Sequence, residues 1–455
     1  MWPMNFVQID RDCKMLMDWQ NLLSAKRFCL PSEDESTCMR TPFHKDHDRI
    51  VFSSSFRRLE RKTQVHPLRE NDHIHSRLTH SLEVSCVGRS LGAQVGEMLA
   101  NKLPDHVNAA DLGAIVQAAC LAHDIGNPPF GHTGEDAIRH WFRDSKNKHF
   151  LGGLTIEQIK DFQSFEGNAQ GLRVLTQLEC HRFDGGMRLT FATLGTFLKY
   201  PWHSGYQDPR KGEKFGVCQF DLPILHQISK ELGLIPEGED RYCRHPLVYL
   251  MEAADDICYA IIDLEDGVEM NLLDYQEVET LLLDLIGDNV PRSYLDTDAG
   301  DPPRRRLAIL RGKAIDLMVN EVARVFVEHE SVILQGKLTQ DLISLASPKV
   351  ASCIASAKAI AKNKIFKDPK KALIEIGAYT TLGSLLATFL SAVDEVISGE
   401  VVSYKSLRIL ELIGRHAPKP DWPKYQAYLR VVDYISGMTD SYAVDLAQAI
   451  RGLKH

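Results

Sequence analysis

A buried helix that ends in a His-Asp pair is the feature that most constrains how this chain folds. Residues 111–122 are mostly small or apolar, which predicts a helix that is buried on all sides. Gly126 and the Pro128-Pro129 dipeptide then end the helical pattern. His123 and Asp124 therefore lie where a buried helix gives way to a loop, and a buried carboxylate without a partner is costly. An imidazole nitrogen beside a carboxylate oxygen at such a place indicates a metal site.

Two further predicted helices carry candidate ligands. His80 lies near the inner rim of a helix whose apolar residues follow the helical period, namely Leu78, Leu82, Val87, Leu91 and Val95. Residues 245–266 form a second apolar helix, in which Asp255, Tyr259 and Asp263 recur at i, i+4 and i+8 and so share one face. Acids on a typical amphipathic helix form a solvated face, but the residues that flank these acids are apolar on too many sides. A cation or strong donors are needed there. The predicted metal ligands are His80, His123, Asp124 and Asp255.

The ligand types narrow the choice of metal. Two imidazoles and two carboxylates leave open positions on a divalent ion, where a water and a substrate oxygen can bind. Mixed nitrogen and oxygen ligation suits manganese, iron or a similar transition ion. It suits magnesium less well, because magnesium prefers oxygen ligands. The choice among manganese, magnesium and related ions stays open at this point.

Composition sets outer limits on function. The 455 residues and 44% hydrophobic content suffice for a sizeable core, and the net charge of −8 argues against a protein that coats nucleic acid or anionic membrane through overall charge. The ten cysteines are scattered without CxxC pairs, and the N-terminus lacks the pattern of a secretion signal. Reduced thiols and a cytoplasmic location are therefore expected. We also expect no membrane association, because no uninterrupted apolar stretch is long enough to span a bilayer.

Helical periods recur along the chain, which predicts an all-α fold. A segment rich in Asp, Gly and Pro, residues 287–304, indicates a boundary. We therefore divide the chain into an N-terminal extension (1–39), a catalytic core that carries the metal chemistry (40–290) and a C-terminal helical lobe (291–455).

The order His80, His123-Asp124, Asp255 resembles that of the HD-domain metal phosphohydrolases, and the surrounding sequence resembles the deoxyguanosine triphosphate triphosphohydrolase family. The resemblance rests on segments that follow the expected order along most of the chain, namely 57–65, 77–81, 123–135, 165–171, 252–257 and 433–440. It implies an HD-domain helical fold with additional C-terminal helices. It also implies an enzyme that hydrolyses dGTP, or dNTPs more broadly, to deoxynucleoside and tripolyphosphate and so controls dNTP pools.

The resemblance assigns His132 and Glu135, just past the predicted loop, as catalytic residues. An acid/base histidine oriented by a carboxylate is the arrangement that proton transfer needs. These residues leave open whether His132 protonates the departing 5′ oxygen or serves the attack of water. Thr133 and Asp136 fit a capping box for the helix that follows, which would explain those two residues structurally.

Phosphate contacts are assigned mainly by the resemblance. Lys199 and Lys214 resemble the family's triphosphate-binding lysines, and a polyanion needs such cations. Arg77 and Asn127 are further candidates, although an asparagine in a tight loop often serves only to hydrogen-bond that loop.

Sugar contacts are assigned by the resemblance and by helical spacing together. Gln64 matches the family residue that recognises the 3′-hydroxyl. Tyr259 and Asp263 lie one and two turns beyond Asp255, so the sugar of a nucleotide held at the metal by its α-phosphate should lie against them. The alternative is that Tyr259 is a core aromatic whose hydroxyl is satisfied by Asp263.

Two expectations concern partners. The resemblance implies a homo-oligomer, with a hexamer as the suggested form, and the C-terminal lobe would supply subunit contacts. A group of lysines after the predicted boundary is typical of a solvated face, and its alternative interpretation is a site for a nucleotide effector or single-stranded DNA. These lysines are Lys358, Lys362, Lys364, Lys367, Lys370 and Lys371.

Two other functions compete with the triphosphohydrolase interpretation. One is an HD phosphodiesterase or nuclease that acts on another nucleotide or on 3′ ends of nucleic acid, with a differently shaped sugar pocket. The other is a non-catalytic, dNTP-sensing oligomeric scaffold with a structural metal site. The complete ligand set together with His132 and Glu135 argues against the scaffold.

Overall fold

The computed structural model describes residues 16–30, 40–64, 74–179, 185–206, 212–287, 303–365, 369–399 and 401–453. The predicted all-α fold class is confirmed, because helices account for most of these residues. Numbered in chain order, the α-helices are α1 (Trp19–Leu22), α2 (Pro42–Val51), α3 (Ser54–Arg58), α4 (Arg77–Met98), α5 (Ala109–Ala122), α6 (Gly131–Arg143), α7 (Ile156–Gln163), α8 (Gly167–Arg173), α9 (Phe191–Phe197), α10 (Leu222–Leu232), α11 (Val248–Glu269), α12 (Tyr275–Ile286), α13 (Pro303–Glu328), α14 (Glu330–Leu334), α15 (Leu342–Leu345), α16 (Pro348–Ile360), α17 (Pro369–Ile397), α18 (Tyr404–Glu411), α19 (Lys424–Ser436) and α20 (Asp440–Ile450).

Short irregular elements join these helices. The 3₁₀ turns are Leu59–Arg61, Ala100–Lys102, Ser145–Leu151, Gln219–Asp221 and Gly414–His416, and the π turns are Val174–Leu178 and Ala361–Ile365. Within the described ranges, the one sheet is an antiparallel pair of strands, β1 (Pro236–Gly238) and β2 (Arg241–Tyr242).

The close packing of α4 against α5 sets the position of two predicted metal ligands. α4 presents Gly92 and Gly96 to α5, where an added Cβ atom would lie 2.8 Å from Leu112 O and 2.6 Å from Ala109 Cα. No side chain fits at such distances, so the glycines let the two helix backbones approach closely.

The ends of the same helices place the ligands. α4 begins at a capping box formed by Ser76 and Thr79, so His80 lies in its first turn. α5 ends at Ala122, with His123 as the C-cap residue. Leu82, predicted among the core positions of α4, is 39% exposed; that prediction is wrong at this position, because the buried stripe of the helix passes beside it.

The buried apolar residues form two cores that do not follow a simple division of the chain. The first core contains α4, α5 and α11 and continues through the helices up to Ile365. The second core contains α6 and α7 together with residues from Ala378 to Ala447. The predicted boundary at residue 290 lies outside the described residues. Residues 16–30 of the predicted N-terminal extension pack against the first core, while 1–15 and 31–39 lie outside the described residues.

Helix α17 corrects one expectation. Its segment Ala372–Ile397 is long and apolar enough to cross a membrane by length and composition, whereas no such stretch was expected. Its fully buried residues Leu382, Leu386, Phe389 and Val393 recur at helical spacing and pack in the second core, against α6, α18, α19 and α20. A core helix of this kind has the same apolar composition as a membrane span.

Arg173 of α8 joins the two cores through buried ion pairs. Its guanidinium donates two hydrogen bonds of 2.9 Å to the oxygens of Asp221, beside α10 of the first core. It also donates hydrogen bonds of 2.8 and 2.9 Å to the oxygens of Asp433, in α19 of the second core. Burial raises the pKa of Asp221, and the charge of Arg173 opposes that effect. Arg173 therefore compensates two buried carboxylates at once.

We predict that Arg173→Met lowers the free energy of unfolding by about 3–5 kcal/mol, because it leaves two buried carboxylates without their partner. The matched control is Arg143→Met, which removes a half-exposed ion pair with Glu213 at 2.6 Å and should change stability by under about 1 kcal/mol. Urea unfolding followed by circular dichroism measures both. Equal losses in the two variants would contradict the role given to Arg173.

Candidate metal centre and active site

Three predicted ligands converge on one point. His80, His123 and Asp255 bring their ligand atoms within 4.8 Å of one another. Asp255 Oδ1 lies 3.2 Å from His80 Nε2 and 3.6 Å from His123 Nε2. Two atoms that bind one ion at about 2.1 Å each, at roughly 90–110° to each other, lie about 3.0–3.4 Å apart. The donor types and their spacing therefore fit a divalent transition ion.

The surroundings prepare these side chains to bind a cation. His123 Nδ1 lies 2.7 Å from Cys120 O, so this nitrogen carries the proton and Nε2 offers its lone pair to the centre. Burial alone would raise the pKa of Asp255, but the neighbouring His123 and His80 hold it well below its usual range. Asp255 is therefore a carboxylate anion at neutral pH, as metal binding requires.

Asp124, the fourth predicted ligand, lies beside this group and makes other contacts. Its Oδ1 is 3.6 Å from His123 Nε2, but the three converging ligands do not include it. Arg77 and Asn127 both donate hydrogen bonds to its carboxylate. Burial would raise the pKa of Asp124, and the charge of Arg77 holds it low instead. Coordination by Asp124 remains a prediction, in which the ion would share this carboxylate with its present donors.

The loop between α5 and α6 has a strained backbone. Phe130 has a φ of 64° and Gly131 a φ of 58°, so two consecutive residues are left-handed where α6 begins. For a phenylalanine this conformation costs on the order of 1–3 kcal/mol. An added Cβ at Gly131 would lie 2.4 Å from Arg77 Nη2, so glycine is the residue that fits here.

The predicted capping box of Thr133 and Asp136 is wrong. α6 begins at Gly131, before both residues, and no side chain caps it. Thr133 Oγ1 instead donates to Glu375 Oε1 at 3.3 Å, and Asp136 accepts a hydrogen bond from the Tyr379 hydroxyl. Both residues therefore connect α6 to α17.

The predicted acid/base pair is formed in the structure. His132 Nδ1 lies 3.0 Å from Glu135 Oε2, one turn along α6. The Glu135 side chain is 2% exposed, whereas that of His132 is 81% exposed. Burial would raise the pKa of Glu135, but the hydrogen bond from His132 and the charge of Lys214 lower it to about 2. An ionised Glu135 thus orients His132 and leaves Nε2 as the nitrogen for proton transfer.

The two predicted phosphate-binding lysines are each held by an acid. Lys199 Nζ lies 3.5 Å from Glu252 Oε1, and Lys214 Nζ lies 2.9 Å from Glu166 Oε2. Burial lowers the pKa of each lysine, but the neighbouring carboxylates raise it by more, so both pKa values lie above the ordinary value. Both lysines are therefore cations at neutral pH.

The predicted sugar contacts do not all reach the cavity. Gln64 and Tyr259 line it, and Gln64 Oε1 is buried without a hydrogen-bond partner among the described residues. Asp263 is 3% exposed and is not among the residues that line the cavity, so its role as a direct sugar contact stays a prediction. Four residues of helix exceed one turn by about 40°, so the position eight residues after Asp255 is rotated by roughly 80° from it. Burial raises the pKa of Asp263 to about 7, against the opposing charge of His80.

All these groups share one cavity of about 440 Å³. Every predicted site residue except Asp263 lines it. The cavity thus combines the candidate ligand cluster, the His132 and Glu135 pair and three cationic side chains, Arg77, Lys199 and Lys214. Its size is in the range of small-molecule sites.

Several lining residues were missing from the sequence prediction. Glu166 and Glu252, which hold the two lysines, lie inside segments that resemble the family, so a signal for them existed. Thr63 also lies in such a segment, next to Gln64. Glu375 of α17 lines the cavity from the C-terminal helices, where the sequence offered no motif.

Two of the six lysines in the predicted cluster form ion pairs in the part of the chain that the structure describes. Lys358 pairs with Asp256 at 2.6 Å and Lys364 with Glu277 at 2.6 Å, on an exposed surface. Lys367 and the side chains of Lys370 and Lys371 lie outside the described residues. The pairs favour the interpretation of a solvated face.

Comparison with known proteins identifies a domain and a family to which this chain is similar. The HD domain family model matches residues 77–214. A deoxyguanosinetriphosphate triphosphohydrolase-like protein of Pseudomonas aeruginosa is 56% identical over 96% of this chain and 99% of its own length. A protein of Synechocystis sp. with the same description is 42% identical over 96% of this chain and 100% of its own length. The deoxyguanosinetriphosphate triphosphohydrolase of Cronobacter sakazakii is 31% identical over 89% of this chain and 92% of its own length.

The helical fold, the His/Asp cluster at the end of α5 and the match to the family model define an HD-domain protein. Sequence identities of 56% and 42%, each over 96% of the chain, further show that the chain belongs to the deoxyguanosinetriphosphate triphosphohydrolase family. The resemblance inferred from the sequence segments is thereby confirmed.

Substituting Asp255 with alanine should abolish stoichiometric metal, because it removes the anion to which both histidines point. Asp256→Ala is the matched control, since Asp256 is ion-paired with Lys358 and does not belong to the ligand cluster. Elemental analysis of both dialysed variants gives the metal content. Retention of metal by Asp255→Ala, or its loss from Asp256→Ala, would contradict the assignment.

Proposed function

We propose that this protein is a metal-dependent hydrolase of deoxynucleoside triphosphates that releases the deoxynucleoside and intact tripolyphosphate. The observation that carries the proposal is the presence of the metal-ligand cluster, the His132 and Glu135 pair and three cations in one cavity. The names of the relatives refer to dGTP, which supports dGTP, or dNTPs more broadly, as the substrate.

The ligand cluster and the cationic side chains would contact different parts of the triphosphate. A divalent ion held by His80, His123 and Asp255, with Asp124 beside them, would supply Lewis-acid polarisation of the α-phosphate and activation of water. Lys199, Lys214 and Arg77 would bind the phosphate oxygens by charge-assisted hydrogen bonds. Asn127, which hydrogen-bonds Asp124, would help to fix the α-phosphate end. Cations held rigidly before the substrate arrives stabilise developing charge without reorganisation.

Proton transfer falls to His132. Glu135 accepts a hydrogen bond from Nδ1 of His132 and is itself fixed by a 2.7 Å hydrogen bond from the Gly167 backbone amide. The imidazole is therefore oriented before substrate binds, and its Nε2 can exchange a proton with the reacting oxygen atoms.

The proposal extends to the cellular role, the metal and the oligomeric state of the protein. Hydrolysis of dNTPs to deoxynucleosides would lower dNTP pools in the cytoplasm. Manganese is the ion that we propose first, because mixed nitrogen and oxygen ligation favours it over magnesium. We also propose a homo-oligomer, with the C-terminal helices supplying subunit contacts.

Incubation with each of the four dNTPs and manganese, with products resolved by ion-exchange chromatography, should yield deoxynucleoside and tripolyphosphate. His132→Ala should reduce kcat by about 10²–10⁴-fold and keep the metal, because it removes only proton transfer. The exposed His149, replaced in the same way, should leave the rate unchanged. Release of dNMP with pyrophosphate, or of dNDP with phosphate, as the primary products would refute the proposal.

Deoxynucleotides should be hydrolysed in preference to ribonucleotides, because the Tyr259 ring, one turn from Asp255, would pack against the 2′ carbon and leave no room for a hydroxyl. Tyr259→Ala should narrow the ratio of kcat/KM for dGTP to that for GTP by more than it lowers dGTP turnover. Tyr259→Phe keeps the ring and should preserve the ratio. Equal hydrolysis of GTP and dGTP by the unaltered protein would favour the broader nucleotide phosphohydrolase.

A further inference from the structure

A buried carboxylate at the start of the last helix contacts two loops of the active site. Asp440 is 3% exposed and belongs to α20. Its Oδ1 accepts a 2.9 Å hydrogen bond from the Phe130 backbone amide. Its Oδ2 accepts a 2.9 Å hydrogen bond from the Thr63 backbone amide and a second one from the Thr63 hydroxyl. A single side chain therefore ties together two loops that are distant in the sequence.

Each of the two loops carries a functional group of the cavity. Phe130 immediately precedes α6, and His132 and Glu135 lie in the first turns of that helix. Thr63 immediately precedes Gln64, whose buried Oε1 lacks a partner among the described residues. The position of Asp440 thus sets the position of the acid/base pair relative to Gln64.

The strained backbone at Phe130 strengthens this interpretation. A left-handed phenylalanine persists only where the surrounding structure holds it, and no side chain caps α6 from within its own loop. The carboxylate of Asp440 supplies that hold from outside the loop. A negative charge at the N-terminal end of a helix is also favourable in itself.

A second tie runs beside the first. The buried Lys62 donates from Nζ to Asn127 O at 2.6 Å and to Ser436 O at 2.8 Å. The C-terminal segment 436–440 therefore contacts the loop between α5 and α6 at both ends, through Lys62 at Asn127 and directly at Phe130. None of these hydrogen bonds involves the converging ligands His80, His123 and Asp255.

We propose that Asp440 is a positioning residue, which fixes the spacing between the His132 and Glu135 pair and Gln64 without touching substrate or metal. The inference rests on the proposed function of the cavity. It separates two parts of the site: metal binding is independent of Asp440, while proton transfer and recognition of the 3′-hydroxyl both depend on it.

Asp440→Asn tests the proposal, because an amide keeps the shape of the carboxylate but turns an NH₂ group toward Phe130 or Thr63 and loses one of the two ties. The matched control is Asp161→Asn. Asp161 is also 3% exposed and accepts hydrogen bonds from Ser204, Tyr425 and the Gln219 amide, none of which lines the cavity.

Both variants are compared with the unaltered protein for metal content, melting temperature and kcat and KM with dGTP and 2′,3′-dideoxy-GTP. Asp440→Asn should keep its metal, lose about tenfold or more in kcat and lose most of its preference for dGTP over the dideoxynucleotide. Asp161→Asn should lose comparable thermal stability and keep both kinetic properties. Thr63→Val, which retains the backbone tie, should reduce the preference for the 3′-hydroxyl by less than Asp440→Asn does.

Hydrogen exchange measured by mass spectrometry tests, without substrate, whether Asp440 holds both loops. In Asp440→Asn, peptides that contain Thr63 and Phe130 should both exchange faster than in the control. Kinetics within twofold of the unaltered protein, or equal exchange in the two variants, would overturn the positioning role. Lack of dNTP hydrolysis by the unaltered protein would refute the proposed function instead, and the exchange experiment would still decide on the two ties.

Discussion

Burial of charge in an apolar interior is the constraint on which this structure depends. Asp255 lies within the apolar helix α11, and Asp124 lies at the end of the apolar helix α5. Neither carboxylate could remain ionised there alone, because desolvation would raise its pKa. His80 and His123 both lie close to the Asp255 carboxylate, and Arg77 donates a hydrogen bond to Asp124. The shape of the candidate site follows from this compensation, and a metal ion would complete it.

The chemistry is divided between the two cores. The converging metal ligands lie on helices of the first core, α4, α5 and α11. The acid/base pair lies on α6, whose apolar residues Ile138 and Phe142 pack in the second core. Arg173 joins the two cores through Asp221 and Asp433. The distance between the candidate ligand cluster and the His132 and Glu135 pair therefore depends on how the two cores pack against each other.

Much of this arrangement could be predicted from the sequence. The all-α fold followed from helical periods, and the positions of His80, His123 and Asp255 followed from ligand types at the ends and faces of apolar helices. The resemblance of residues 123–135 to the family predicted that His132 and Glu135 form a pair, and their side chains are hydrogen-bonded in the structure.

The errors have physical causes that spacing alone does not reveal. Helical drift over eight residues rotates Asp263 away from the face of Asp255, and Asp263 is not among the residues that line the cavity. The capping box failed because α6 begins two residues before Thr133, on left-handed residues that propensity rules do not favour. Glu375 lines the cavity from a helix without a recognised motif. Asp440 lies in a segment that resembles the family, but its contacts with Phe130 and Thr63 are tertiary, and sequence spacing does not predict them. The length of the apolar segment in α17 was also underestimated. Burial in the second core explains its apolar composition.

The position of Asp440, far beyond the candidate metal ligands in the sequence, has a consequence for the order of assembly. The ribosome delivers the chain from its N-terminus, so His80, His123 and Asp255 emerge long before α20 does. A nascent chain can therefore gather its metal ligands early, while the loops that carry His132 and Gln64 still lack their tie to the last helix. The proposed positioning of His132 relative to Gln64 would then follow as a separate step, once Asp440 has been synthesised.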